Sequence, residues 1–291
     1  MRSIIWITAF VLSLGTPALG AAADSEQPGG RPSEQVMASV QAAVRAGVDQ
    51  EEVAALTAKM EQSRFDERLT MRAHEILIAA RQERLPVEPI VNKAYEGIAK
   101  RVSPQQTLQA MEMVRSRYSL AFREARAIDV DEKQQQSLGR AIAEGLTAGL
   151  RERDVIRMRD NLQQKSRQIS REQRNELALE SFRTGREMAR LGVPSVAVGN
   201  VICEALQHQF TAREMEQMRN TFAMEARHGK AESIAQQYGA QIGMGARGGG
   251  VGAAGAGAPG AGGPGGGGGA GGGGGAGGGG GAGGGGGAGG R

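Results

Sequence analysis

From Val198 to Phe222 the chain reads VGNVICEALQHQFTAREMEQMRNTF, and this stretch carries the architecture. Steps of four keep Val198, Ile202, Leu206 and Phe210 on one slowly rotating helix face. Thr211 then interrupts the apolar pattern. It is a competent N-cap, and Glu214 stands at the capping-box spacing from it. A second helix follows, with Met215, Met218 and Phe222 on its apolar stripe. The unit is a helical hairpin joined by a tight turn.

The same spacing recurs outward along the chain. Val53–Leu77, Ile90–Val114 and Leu138–Leu162 align with Val198–Phe222 without gaps. The first position holds Val53, Ile90, Leu138 and Val198, and the turn position holds Phe65, Val102, Leu150 and Phe210. Leu77, Val114, Leu162 and Phe222 close the windows. At the eighth offset stand Ile98, Leu146 and Leu206, with Met60 beside the departing Glu61. Asp66, Ser103 and Thr211 are capping residues just after the turn position, whereas Arg151 breaks that rule in the third window. Asp49…Glu52, Ser103…Gln106 and Ser170…Gln173 also match the capping-box spacing. Arg115–Ile128 and Asn161–Leu191 read as extensions or inserted helices, so the period is irregular. One hairpin cannot bury both of its stripes, and neighbours must stack. The expectation is an all-α fold, an irregular array of stacked helical hairpins over residues 33–246. An open solenoid and a closed bundle both satisfy the pattern.

The two ends of the chain are of a different kind. Arg2, the apolar run Ile4–Leu14, Pro17 and the small residues Ala18-Leu19-Gly20 follow the order of an export signal over residues 1–20. That run is too short for a bilayer span, which needs ~20 residues. Residues 21–32 are expected to be a flexible segment. Residues 247–291 form a Gly/Ala-rich tail expected to be disordered, since 31 of the 47 glycines lie from Gly248 onward and leave almost no side chains to bury. Its GGGGGA repeat has the wrong period for collagen. Setting aside Arg2 and Arg291 leaves 33 basic against 31 acidic residues, a balance that argues against a nucleic-acid partner. Cys203 is the only cysteine and sits in an apolar helical pattern, so it reads as a buried small hydrophobe.

A search for chemistry finds no nucleophile elbow, zinc-protease or phosphate-loop motif. His74, His208 and His228 have no His or Cys partner at helical spacing, and His74 faces away from the adjacent Glu75. Met111 with Met113, or Met215 and Met218 with His228, are candidate thioether ligands for Cu(I) in an exported protein. Met215 and Met218 nevertheless occupy the repeat positions of Val155 and Met158, which makes them core. No catalytic, cofactor-binding or metal residue is assigned. Ile169-Ser170-Arg171-Glu172-Gln173 and Val102-Ser103-Pro104-Gln105-Gln106 resemble the L-T-x-x-Q motifs of small periplasmic stress chaperones, although both lack the Leu-Thr pair. That resemblance implies an exported all-helical protein binding unfolded clients on a concave face without ATP.

The functional expectation is an exported, non-enzymatic helical-repeat scaffold or protein-binding module of the cell envelope, periplasmic or extracellular. The alternative is an ATP-independent client-binding chaperone or metal-stress protein. The partner is a protein, with no stable membrane span after signal cleavage, and homo-oligomerisation is left open.

Overall fold

A computed structural model of the chain describes residues 33–128, 131–166, 168–247 and 250–251. The export signal expected over residues 1–20, the segment 21–32 and the tail beyond residue 251 lie outside the described residues. The elements are α1 (Glu34–Arg45), α2 (Gln50–Gln62), α3 (Glu67–Gln82), α4 (Glu88–Ala99), α5 (Pro104–Ala127), α6 (Glu132–Thr147), α7 (Glu152–Ser166), α8 (Arg171–Arg190), α9 (Ser195–Gln207), α10 (Ala212–Glu225) and α11 (Ala231–Gly243). No strand occurs among the described residues. The aligned windows fall on α2–α3, α4–α5, α6–α7 and α9–α10, and the array is stacked. Arg115–Ile128 continues α5 to its end, and α8 is the inserted helix within Asn161–Leu191.

A single backbone device ends eight of the helices. At Gly47, Arg64, Arg84, Arg101, Gly149, Gly192, Gln209 and Gly245 the chain turns left-handed. The N–H of the following residue then bonds the carbonyl five positions back. Phe65 bonds Met60 at 3.1 Å, Leu150 bonds Gly145 at 3.0 Å and Phe210 bonds Ala205 at 2.9 Å. This is the Schellman closure, which satisfies carbonyls that the helix end would otherwise orphan. Glycine adopts the left-handed conformation freely, whereas Arg or Gln there costs roughly 1–2 kcal/mol. The residue after the turn is apolar in every case, and it plugs the core at most tips. Val48, Leu85 and Val193 do so outside the aligned windows, so the turn recurs more often than the windows do.

Eleven of the twelve first, turn and closing positions are buried, from Val53 through Phe222, while Ile98 and Leu146 at the eighth offset are half-buried. Val102 is the departure, at 37 % exposure. The third turn, where Arg151 supplies no capping oxygen, is completed from another helix. Ser195, at the start of α9, accepts the Arg151 N–H at 2.8 Å on its Oγ and donates its own proton to Asp154 Oδ2 at 2.6 Å. A hydroxyl distant in sequence thus relays the bond that a capping box makes directly.

Helices pack on their next-but-one neighbours in two tiers. One tier runs α1, α3, α5, α6, α8, α10; the other has α2 on α4, then α7, α9 and α11 in succession. The alternation fails once, because α5 and α6 are consecutive in the first tier. Their axes come close at Gly139, where an added Cβ would lie 2.6 Å from the Phe122 ring. The second tier is therefore interrupted after α4. The interior divides at the same place: Leu108, Met111, Val114 and Phe122 of α5 belong to one apolar cluster with α1–α4, and Ala121, Ala125 and Ile128 to a second with α6–α11. The second cluster also takes in Val251, which is fully buried. Among the described residues no helix is long and apolar enough to cross a membrane.

Candidate binding grooves

The thioether candidates do not converge. Met111 is fully buried whereas Met113 is exposed, and Met215 and Met218 lie in the second core while His228 is on the surface. Among the described residues no group of three His, Cys, Asp or Glu side chains could hold a metal ion. Glu75 pairs with Arg72 at 2.7 Å and has no part with His74. Cys203 is buried as expected, and that burial pushes its thiol pKa up.

His74 is the most unusual polar group. It is completely buried on α3, with Nδ1 2.7 Å from Ser39 Oγ of α1 and Nε2 2.9 Å from Thr57 Oγ1 of α2. Both hydroxyls also lie within donating distance of backbone carbonyls, Ser39 to Val36 at 2.8 Å and Thr57 to Val53 at 2.7 Å. Burial of the ring holds its pKa down to about 4. A neutral ring carries one N–H, so one hydroxyl must turn its proton from the carbonyl to the ring. The site is a three-helix clamp.

The buried carboxylates are likewise committed. Glu124 of α5 meets Arg159 of α7 at 2.9 Å and Arg123 at 3.0 Å. Asp154 is held by Ser195 and by Arg157 at 3.4 Å. Each joins helices that the apolar packing already brings together.

What remains open is the surface between hairpins. A groove of about 1010 Å³ runs between the tips of α2–α3 and α4–α5. Phe65, Tyr95, Ile98, Val102 and Pro104 supply apolar surface to it, and Lys59, Arg64 and Arg101 are its charged residues, with no carboxylate in the lining. The side chains of those three cations have no hydrogen-bond or ion-pair partner among the described residues. Two neighbouring acids are engaged elsewhere: Asp66 caps α3 through the Leu69 N–H at 2.7 Å, and Glu96 is held by Lys93 and Lys100 at 2.6 Å each. A second groove of about 500 Å³ crosses α7, α9 and α11, and a third of about 230 Å³ lies where α7, α8 and α10 meet.

The two segments with the L-T-x-x-Q resemblance border the first and third grooves and act as caps. Ser170 and Gln173 form a full capping box on α8, and Ser103 accepts the Gln106 N–H at 3.4 Å on α5. The grooves themselves escape sequence reading, because they depend on which hairpin tip is left uncovered. Comparison of the chain with protein-family models, with curated proteins and with solved structures finds no match.

Proposed function

We propose that the chain is an exported, non-enzymatic helical-repeat scaffold that binds a protein partner in the cell envelope. The observation that carries this reading is the groove around Val102. The other three turn residues of the aligned windows are buried, while Val102 is left open beside three cations that have no side-chain partner among the described residues. Stacked hairpins provide extended surfaces suited to protein partners. The ordered polar groups that could suggest chemistry, His74, Glu124 and Asp154, are consumed in joining helices. Export rests on Arg2, the apolar run Ile4–Leu14 and the small residues before Ala21.

The test is to cross-link the tagged chain in the cells that produce it and isolate it from the envelope fraction. The reading expects a mature N-terminus near Ala21 and a discrete complex of fixed stoichiometry. Recovery of an unpartnered chain that keeps Met1 in the cytoplasm would contradict it.

A further inference from the structure

We propose that the groove between the α2–α3 and α4–α5 tips takes an extended acidic peptide segment, bearing apolar side chains, from the partner. This deepens the partner-binding reading above and rests on it. Charge complementarity selects the occupant. Lys59, Arg64 and Arg101 approach the groove without a carboxylate in its lining, and like charges unpaired among the described residues are relieved by an anionic ligand. A small inorganic anion would leave the apolar surface of Tyr95, Ile98 and Val102 unused. A nucleic acid would require a longer basic track than three cations on a chain of nearly balanced charge. A peptide that alternates carboxylates with apolar side chains satisfies both features at once.

Val102 explains why the surface is open. It is the last turn residue before the second tier is interrupted, and among the described residues the next second-tier helix, α7, packs on α9 and α5 and leaves α4 without a close second-tier neighbour on that side. The peptide would occupy the place that a stacking helix takes at the other tips.

The backbone supplies a clean test. Arg64 and Arg101 are left-handed, at φ 62° and 55°, so replacing them with glycine removes charge while relieving the backbone. Arg84, at φ 58°, has the same conformation outside the groove and serves as control. The full chain is titrated by fluorescence anisotropy with a labelled peptide alternating Glu with Leu and Phe. Its Lys-for-Glu counterpart and a Glu/Ser peptide are titrated in parallel. The acidic apolar peptide is expected to bind saturably, and more weakly as salt rises. Its affinity should fall about tenfold in the Arg64→Gly/Arg101→Gly variant, as loss of two partly exposed ion pairs implies, and stay unchanged in Arg84→Gly.

Thermal midpoints of the glycine variants should hold or rise. Should the double variant fail to fold, Val102→Asp, on an exposed position, must weaken the same peptide by repulsion. Equal binding of the Lys peptide, or equal loss in Arg84→Gly, would overturn the proposal. So would a self-association that the double variant abolishes, which would assign the groove to a second copy of the chain. If this peptide fails but displayed random peptides bind and are lost on Asn200→Ala in the α7–α9–α11 groove, this proposal falls and the partner-binding reading stands. If no peptide binds anywhere, both fall.

Discussion

Replacing Phe210 by Ala is expected to destabilise the chain by about 3–5 kcal/mol, the range for emptying a fully buried phenyl site. Phe210 is fully buried in the second core, at the turn between α9 and α10. Leu150, its counterpart between α6 and α7, should cost about 2–5 kcal/mol on the same change. Val102 occupies the same repeat position, yet its 37 % exposure brings Val102→Ala down to within about 0.5 kcal/mol. Two neighbours calibrate the scale. Thr211 forms a complete capping box with Glu214, so Thr211→Ala should cost about 1 kcal/mol. Gln217 is exposed between Met215 and Met218, and Gln217→Ala should stay within about 0.5 kcal/mol. Denaturant melts of each variant give the ordering. A Phe210→Ala that behaves like Gln217→Ala would remove the turn residue from the core and with it the stacked-hairpin account.

His74 should make the first core sensitive to acid. Its burial holds the folded-state pKa down to about 4, against ~6.5 for an unfolded histidine. The unfolded chain therefore takes up this proton first. Stability from the neutral ring is fully present above pH ~6.5 and drains as pH falls toward about 4, by up to about 3 kcal/mol in total. Carboxylates also titrate near the lower end of this window, so the comparison must be made against a ring that does not titrate. The pH-dependent loss between about pH 7.5 and 4.5 should be about 2 kcal/mol larger for the wild-type chain than for His74→Gln. The variant's lower absolute stability does not enter that difference. Equal pH dependence of the two chains, or a wild type that gains stability on acidification, would contradict the clamp described for Ser39, Thr57 and His74.

The sequence exposes the hairpins because apolar spacing survives from copy to copy. Val198, Ile202, Leu206 and Phe210 show it most plainly, and all are buried. The turns are less legible. Glycine at Gly47, Gly149, Gly192 and Gly245 hints at a helix stop, but Arg64, Arg84, Arg101 and Gln209 adopt the same conformation with no compositional mark. The closing hydrogen bond from the next residue, Phe65, Leu85, Val102 or Phe210, is formed at each of them all the same. The cap at Arg151 is invisible for a related reason, since its hydroxyl comes from Ser195 on another helix. Val102 misleads most, because hydrophobicity marks it as core while the interruption of the second tier leaves it uncovered. The groove follows from that interruption, so sequence spacing alone does not reveal it. His74 shows the same limit: its partners, Ser39 and Thr57, lie on two other helices.

Hydroxyl-radical footprinting of the full chain tests the account most directly, because it reads the four turn residues in one measurement. Exposed Met113 and Met244 serve as internal references for free access, at 61 % and 79 % exposure. Phenyl rings react with the radical faster than a valine side chain, so intrinsic reactivity works against the expected result. The account predicts protection of Phe65, Leu150 and Phe210 together with clear oxidation of Val102. Phe65 and Phe210 oxidised at the rate of their reactivity in an unfolded chain, or Val102 protected with them, would contradict a stacked array with one uncovered tip.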